Sequence, residues 1–366
     1  MIEIGTIKEL NKYSLTSEKV MEFYEKNWNR KTVLSNKEFY NWQFIKSNFE
    51  GFEDTCCIAI DEESNVIGVM GVNSRKFIFN NQELLSAELT TWIVCKKFQN
   101  KGVGPKIINY LKNKYDVLLG MGITDDAIAV YLRSGFRYIS AIPRFIKVLD
   151  WGVVEPYAKY EPLAKKISKY WEGNKDSFPY VESDVTETVI DKIFKNFSIN
   201  NNLFIRDYES IEWRYINHPE FEYEIKVIHS KKDKGEGAFI SLRVEKSDEN
   251  LKILHIIDIF GDNKDIPSAI EYSIEYAVKN NIGIVDFFST NSMINSYFLK
   301  NGWFSLLDDK YFNFPHLFQP IELRNPATTS LIYWINKDNI NNVESFFDIS
   351  RLYITKEDCD FDRPNI

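Results

Sequence analysis

Residues 99–104 read Gln99-Asn100-Lys101-Gly102-Val103-Gly104, a glycine-rich turn between an apolar run (84–95) and a helical pattern (105–115). Such a turn points successive backbone N–H groups into one concavity at the positive end of the helix dipole. Four lysines surround it: Lys96, Lys97, Lys101 and Lys106. The turn therefore predicts a pyrophosphate site, although short Gly-x-Gly turns also occur as plain tight turns.

A second pattern follows the turn. Residues 116–123 have the pattern of a buried strand, and residues 127–136 read A-x-x-x-Y-x-x-x-G-F with Tyr131 at the centre. Strand, Q-x-x-G-x-G, helix, strand and this motif occur in one order within residues 1–150, which resembles the GNAT superfamily of acyl-CoA-dependent N-acyltransferases. Thr124 and Pro105 depart from the common pattern, and proline is tolerated at the start of a helix.

The resemblance implies coenzyme A, as acyl-CoA, as the co-substrate. The pyrophosphate would lie on the turn, and the turn residues and their neighbour are the implied cofactor-binding set: Gln99, Asn100, Lys101, Gly102, Val103, Gly104 and Lys106. The backbone near Ile93 and Val94 would polarise the thioester oxygen. Tyr131 would protonate the departing thiolate, and its alternative role is that of an aromatic side chain packing its helix onto the sheet.

A candidate general base precedes the turn. Period-two alternation predicts that Glu88, Thr90, Trp92 and Val94 share one strand face. Glu88 lies eleven residues before Gln99, a spacing similar to that of the base in GNAT histone acetyltransferases. A carboxylate there would take a proton from the acceptor ammonium. The alternatives are an ion pair with Arg75 or Lys76 and a reaction without a dedicated base.

Composition narrows the classes of function. The 366 residues, 44% of them hydrophobic, predict two domains with a core each. The net charge of −8, without a basic block, argues against nucleic-acid and anionic-membrane partners. The start of the chain lacks signal-peptide features and no apolar run approaches a membrane span, so a cytoplasmic location is expected. The cysteines lack metal-ligand spacing, so no metal is expected.

Two sequence patterns recur along the chain. Residues 39–44 recur loosely as 210–215, and 131–136 recur as 298–303, with similar separations. We therefore predict an α/β (α+β) fold of two tandem GNAT-like domains, each a mixed, mostly antiparallel sheet flanked by helices. The predicted ranges are 1–152 for the acyl-CoA domain, 153–185 for a linker or crossover, and 186–366 for the second domain. The alternative is two α/β domains that share only a generic element order.

The second domain is expected to be degenerate. Its predicted strands are 221–229, 238–245, 251–260 and 282–288, and its predicted helix is 267–279. The turn after its third strand, Gly261-Asp262-Asn263-Lys264-Asp265-Ile266, has one glycine and two carboxylates, which would repel a pyrophosphate. This domain should contribute to the acceptor site instead. Its candidate acceptor residues, with Thr90, are Trp213, His229, Arg243 and Asp258.

The substrate class follows from resemblance alone. Tandem GNAT proteins with one degenerate half include acyltransferases of nucleotide-linked amino sugars, and this chain resembles the group from anthrose biosynthesis, including its closing segment (353–364). The resemblance implies a dTDP-linked 4-amino-4,6-dideoxy sugar as acceptor. Three alternatives are another small amine, an aminoacyl-tRNA-dependent peptidyltransferase, which the acidic charge disfavours, and a non-catalytic CoA-responsive binding protein.

Overall fold

Two large sheets form the framework of the protein. The computed structural model describes residues 2–28, 31–47, 51–173, 176–247, 249, 251–338, 340–359 and 363–364. Within them, an eight-stranded and a seven-stranded sheet are accompanied by two small strand pairs. Helices pack on the sheet faces, so the fold is mixed α/β as predicted.

The first sheet has the strand order β1-β2-β3-β4-β5-β19-β6, and β10 pairs with β3. Its strands are β1 (Glu3–Gly5), β2 (Cys57–Ile60), β3 (Val66–Phe79), β4 (Gln82–Val94), β5 (Val117–Met121), β6 (Arg137–Ile139), β10 (Leu203–Phe204) and β19 (Leu331–Ile335). The pair β4–β5 is parallel, and the other pairs described in this sheet are antiparallel.

The second sheet has the order β15-β7-β14-β13-β12-β11-β9. Its strands are β7 (Arg144–Val148), β9 (Tyr180–Ser183), β11 (Glu224–Ser230), β12 (Ala238–Lys246), β13 (Lys252–Gly261), β14 (Ile284–Phe288) and β15 (Phe304–Ser305). The small pairs join β8 (Lys159–Tyr160) to β16 (Phe312–Asn313) and β17 (Leu317–Phe318) to β18 (Ile321–Glu322). Strands β11, β12, β13 and β14 correspond to the four ranges predicted for the second half, with ends that differ by up to three residues.

The helices are α1 (Ser17–Asn27), α2 (Lys37–Phe44), α3 (Val103–Lys114), α4 (Asp125–Arg133), α5 (Trp151–Val154), α6 (Pro162–Gly173), α7 (Glu187–Ser198), α8 (Tyr208–Ile211), α9 (Ile266–Lys279) and α10 (Ser292–Lys300). A π-helical turn, Glu212–Ile216, extends α8. Capping side chains explain several helix starts. Asn36 accepts from backbone N–H groups at the start of α2, and Asn291 does so for α10.

The two sheets have the same strand order, and each contains one strand from the other half of the chain. Read from its β9 edge, the second sheet repeats the first, with β13–β14 as its parallel pair in the place of β4–β5. The position beyond the parallel pair is filled in each sheet by a strand from the other half of the chain. There β19 lies between β5 and β6, and β7 lies between β14 and β15.

The exchange means that the predicted sequence ranges do not coincide with the sheets. Strand β7 falls in the range predicted for the first domain (1–152) and pairs in the second sheet, and β19 does the reverse. The predicted linker (153–185) contains α6 and β9, the edge strand of the second sheet. All five residues of β7 are buried, so this strand needs partners on both edges, and only tertiary structure supplies them.

The halves meet at a reciprocal tryptophan pair. Trp42 and Trp213, the equivalent aromatic anchors of the sequence repeat, stack with ring centroids 5.1 Å apart. The indole Nε1 of each donates to the backbone carbonyl of the other, at 2.9 Å in both directions. Both rings are buried, and the symmetry of this contact agrees with the internal repeat.

The closing segment also joins the halves. Its residues Glu357 and Asp358 form buried ion pairs with Arg75 of β3 and with Arg206, which follows β10. Burial opposes ionisation of Glu357, but the guanidinium groups of Arg75 and Arg206 outweigh it and hold the pKa of this carboxyl well below its usual range. Residues 360–362 of this segment lie outside the described residues.

Candidate active site

The predicted phosphate turn lies between β4 and α3. Gly102 has φ +79°, a left-handed conformation, and a Cβ added there would meet nothing within 4 Å. Gly104 has a different requirement, because a Cβ there would lie 2.8 Å from Cζ2 of Trp92. The first glycine therefore sets the backbone turn, and the second allows α3 to approach the Trp92 ring.

Helix α3 begins at Val103, two residues earlier than the sequence predicted, and Pro105 is its third residue. The first N–H groups of a helix have no partner within the helix, so Pro105 removes a donor that the helix itself does not use. The N–H groups of Val103 and Gly104 belong to this unpaired set. The Gln99 amide donates to the Val94 carbonyl at 3.1 Å, which ties the turn to the end of β4.

A cleft of about 640 Å³ opens beside this turn. The turn and the first half of α3 form one wall, the end of β4 another, and α4 the third. Its lining residues are Trp92, Val94, Phe98, Gln99, Asn100, Gly102, Val103, Gly104, Pro105, Thr124, Asp126, Ala127, Val130 and Arg133. Lys101 and Lys106 are exposed nearby. The cleft thus combines apolar walls with a cationic, N–H-rich end.

The edge of β4 opens towards this cleft. Parallel pairing of β4 with β5 ends at Leu89 and Gly120, and the N–H of Gly122 then donates to Ser330. The N–H of Cys95 donates to Ile67 of β3, so alternation directs the N–H of Val94 away from β3 and into the gap. Of the two predicted oxyanion donors, the geometry favours Val94, because Ile93 shares the orientation of Cys95.

A β-bulge at Thr91 makes one sequence prediction wrong. Met70 pairs with Trp92 and Gly71 with Thr90, so Thr91 is an extra residue, and its φ is +26°. Beyond the bulge the alternation reverses. Trp92 packs with the core beside α3, whereas Glu88 and Thr90 lie on the opposite face of the strand. The four residues predicted to share a face are therefore divided between two faces.

Tyr131 lies on the cleft side of the sheet. Its ring contacts the rings of Trp92 and Phe136, with centroid distances of 5.3 Å and 5.0 Å. The side chain is 3% exposed, and burial raises the pKa of its hydroxyl well above the usual value. The phenol is therefore neutral and able to donate a hydrogen bond, and the same burial makes it a weaker acid than an exposed tyrosine.

Glu88 lies on the other face of β4. Its Oε2 accepts a hydrogen bond from Nδ2 of Asn73 on β3, at 2.9 Å, and the side chain is 4% exposed. The two partners considered for Glu88 form other ion pairs, Arg75 with Glu357 and Lys76 with Glu83. Glu88 and Tyr131 thus flank β4 from opposite faces, near the point where its pairing with β5 ends.

The candidate acceptor residues occupy separate places. The Thr90 hydroxyl accepts from Arg363, beside the bulge. Trp213 is used in the stacked pair with Trp42. Asp258 is fully buried and accepts from Arg206 at 2.7 Å and from the Tyr353 hydroxyl at 2.8 Å. The Trp213–Trp42 contact joins the two halves, and the Asp258–Arg206 ion pair joins β13 of the second sheet to the residues after β10 of the first.

The other two candidates lie elsewhere on the second sheet. His229 is on β11, which pairs with the edge strand β9, and its Nε2 lies 3.1 Å from the Ser183 hydroxyl. Arg243 of β12 places its guanidinium 4.3 Å from the ring centre of Phe221 and donates to Glu245. The structure therefore does not bring the five predicted acceptor residues together.

The corresponding turn of the second half, residues 261–266, forms hydrogen bonds within the protein. Both carboxylate oxygens of Asp265 accept from backbone N–H groups, those of Ser230 at 2.7 Å and Gly237 at 2.8 Å. Asp262 accepts from the N–H of Lys264 at 3.0 Å. The carboxylates that distinguish this turn from its counterpart thus hold the β11–β12 hairpin against α9.

Two site residues were missed by sequence reasoning. Thr91 carries no sequence signal for a bulge, because threonine is an ordinary strand residue. Arg363 comes from the closing segment and donates to Thr91 at 2.6 Å, to Thr90 at 3.0 Å and to Gln43 at 3.0 Å. Its partners lie hundreds of residues away, so spacing along the chain could not reveal them.

The strand order, the glycine turn and the cleft define a GNAT-type α/β fold. Comparison with protein-family models and with curated proteins finds no match. Solved structures do match. A GCN5-related N-acetyltransferase from Anabaena variabilis is 12% identical with a TM-score of 0.54, over 92% of this chain and 73% of the other.

Two further structures are similar over most of their length. A conserved protein from Enterococcus faecalis is 8% identical with a TM-score of 0.55, over 92% of this chain and 72% of the other. N-myristoyltransferase from Saccharomyces cerevisiae, solved with myristoyl-CoA and inhibitors, is 16% identical with a TM-score of 0.51, over 93% and 84%. The protein therefore has the fold of the GCN5-related N-acetyltransferases.

The described residues show neither a metal-ion cluster nor a membrane-spanning helix. They contain no group of three or more His, Cys, Asp or Glu side chains arranged to hold a metal ion. No helix among them has the length and apolarity needed to cross a bilayer.

Proposed function

We propose that this protein is an acyl-CoA-dependent N-acyltransferase. The observation that carries the proposal is the cleft of about 640 Å³. It begins at the Gly102–Gly104 turn and ends beside Trp92, near Tyr131 and the gap between β4 and β5. The turn suits a pyrophosphate, since helix N–H groups and nearby lysines meet there. Coenzyme A would then extend along the cleft and bring its thioester to the gap between β4 and β5.

The chain's own residues fit acyl transfer at that gap. The Val94 N–H would donate to the thioester oxygen as negative charge develops on it. A neutral amine would attack the carbonyl carbon from the Glu88 face of β4, and the carbon–sulfur bond would break. The departing thiolate would be stabilised by a hydrogen bond or a proton from the Tyr131 hydroxyl. Glu88 would accept the proton that the amine loses. The two proton-transfer groups are thereby kept on opposite faces of one strand.

For the acceptor we propose a nucleotide-linked amino sugar, with a dTDP-linked 4-amino-4,6-dideoxy sugar as the specific candidate. Its support is the resemblance of the closing segment to that of such acyltransferases. In the structure Glu357 and Asp358 of this segment pair with Arg75 and Arg206 between the halves. Its Arg363 donates to the hydroxyl groups of Thr90 and Thr91, beside the Glu88 face of β4. An acceptor bound on that face would touch both halves of the chain.

The direct test measures thiol release with a chromogenic thiol reagent. Acetyl-CoA is supplied with a dTDP-linked 4-amino-4,6-dideoxy sugar, or with spermidine or an aminoglycoside as acceptor. We expect thiol release with the sugar nucleotide and an N-acetylated product by mass spectrometry. Turnover only with the other amines would overturn the sugar assignment. Tight CoA binding without thiol release for any amine would favour a binding protein.

We expect Gly102→Asp to abolish CoA binding. Aspartate tolerates the left-handed backbone better than most residues, and the open space around Gly102 accepts its side chain, so the fold should persist. The carboxylate would face the pyrophosphate and repel it. The measurement is calorimetric titration with CoA. The control is Asn263→Asp, which adds the same charge to the exposed turn of the second half and should bind CoA as wild type does. Wild-type affinity in Gly102→Asp would exclude the turn as the site.

We expect Tyr131→Phe to lower kcat about tenfold to a thousandfold, with little change in KM for acyl-CoA. The ring contacts with Trp92 and Phe136 remain, and the proton donor is lost as the thiolate forms. Steady-state kinetics at saturating acceptor provide the measurement. Tyr276→Phe makes the same chemical change on α9 and should leave kcat unaltered. An unchanged kcat in Tyr131→Phe would show that this residue only packs its helix against the sheet.

A further inference from the structure

The bulge in β4 needs support from outside the strand. Thr91 has φ +26°, where a β-branched residue is a conformational outlier. Such backbone strain persists only when surrounding contacts impose it. The local sequence, Leu89-Thr90-Thr91-Trp92, favours an unbroken strand. The contacts that maintain the bulge must therefore be tertiary.

Within the part of the chain that the structure describes, Tyr24 and Arg363 hold the bulged residue. The Tyr24 hydroxyl of α1 donates to the Thr91 carbonyl at 3.2 Å. Arg363 binds its side chain, with Nη1 donating to the Thr91 hydroxyl at 2.6 Å and Nη2 to the Thr90 hydroxyl at 3.0 Å. The same Nη2 donates to Oε1 of Gln43 on α2, at 3.0 Å. One planar guanidinium thus connects the two threonines of the bulge to Gln43, a buried residue of α2.

The bulge determines which residues line the CoA cleft. A one-residue change in register moves every later side chain of a strand to the opposite face. Without the bulge, Trp92 and Val94 would lie on the Glu88 face, as the sequence alternation predicts. With it, Trp92 forms the cleft wall next to Gly104 and Tyr131, and the Val94 N–H faces the gap. The position of the thioester site therefore depends on Thr91.

We propose that Arg363 is a positioning residue for acyl transfer, which holds the Thr90–Thr91 bulge and thereby places the Val94 N–H and the Trp92 wall. The inference rests on the proposed function and adds to it a residue from the closing segment. Lysine would not replace it, because a single ammonium group cannot reproduce the fork that reaches Thr90, Thr91 and Gln43 together. Arg363 bonds Gln43, Thr90 and Thr91 rather than the pyrophosphate turn, so its variants should still bind CoA through that turn, with a Kd raised by displacement of the Trp92 wall.

The test compares wild type, Arg363→Met and Arg363→Lys in full-length protein. Bound acetyl-CoA with an isotope-labelled carbonyl reports on polarisation through its infrared stretch, without any acceptor. We expect the stretch to shift on binding to wild type and to return towards the free value in both variants, while calorimetry still detects CoA binding with a raised Kd. The kcat for acyl transfer should fall about a hundredfold, as is typical of an ångström-scale displacement.

Arg351→Met is the matched control. Arg351 also belongs to the C-terminal region, but it donates to Asn80 and to the Asn200 carbonyl, away from the bulge, so the carbonyl stretch and kcat should remain those of wild type. A wild-type carbonyl shift in Arg363→Met with CoA bound would overturn the inference and leave the proposed function intact. An Arg363→Met protein that loses its fold, by circular dichroism, would also overturn it, because the role would then be structural. Failure of wild type to bind CoA would overturn the proposed function itself.

Discussion

A chain cut after Glu155 should yield two fragments that do not fold when each is produced alone. The first fragment would keep β7, whose partners β14 and β15 it lacks, and would lose β19, which pairs with both β5 and β6. Unpaired edges of two buried strands would be exposed in it. Circular dichroism and size-exclusion chromatography of the separate fragments measure the effect. Co-production of both fragments should restore a soluble complex, since every strand then finds its partners.

A rearranged first half provides a sharper control. Ile139 at the end of β6 pairs with Leu331 at the start of β19, so a short glycine-rich turn can join them directly. A chain of residues 2–139, this turn and residues 331–338 would restore the strand order of the first sheet without β7. We expect it to be more soluble and better folded than the simple fragment. A cooperatively folded, CoA-binding fragment 1–155 would show that the exchange is dispensable for the first half.

Replacing Glu357 by Gln should destabilise the protein by about 3–5 kcal/mol. The variant is nearly isosteric, but it removes a negative charge from between the buried guanidinium groups of Arg75 and Arg206. The two guanidinium groups would remain buried with less negative charge beside them. Urea unfolding followed by tryptophan fluorescence measures the loss. Glu344→Gln, an exposed position on a 3-10 turn, is the control and should change the unfolding free energy little.

The pH dependence of this effect has a defined sign. Because the folded-state pKa of Glu357 is lowered, its contribution to stability is present above its unfolded value of about 4.3 and is lost as the pH falls through the folded value. The difference in unfolding free energy between wild type and Glu357→Gln should therefore be largest at neutral pH and decrease in acid. A difference that grows in acid, or is absent at neutral pH, would show that the charge of Glu357 is not what stabilises the contact.

Local sequence was sufficient for the parts of the site that depend on local backbone geometry. The Gly102–Gly104 turn, α3 and α4 lie where the motif predicted them, because glycine conformation and helix periodicity act over a few residues. The strands of the second half were also predicted closely, because their apolar runs are bounded by turn residues. The equivalence of Trp42 and Trp213 was visible as a repeat, and the structure explains it as a reciprocal contact.

Tertiary structure decided the features that depend on distant partners. The sequences of β7 and β19 do not indicate which sheet each strand joins, because a buried strand has the same apolar pattern in either sheet. The bulge at Thr91 reversed the predicted face of Trp92, because Tyr24 and Arg363 impose a backbone conformation that threonine does not prefer. A sequence pattern records what each residue favours locally, whereas β4 takes its shape from contacts with Tyr24 and Arg363, which lie far from it in the sequence.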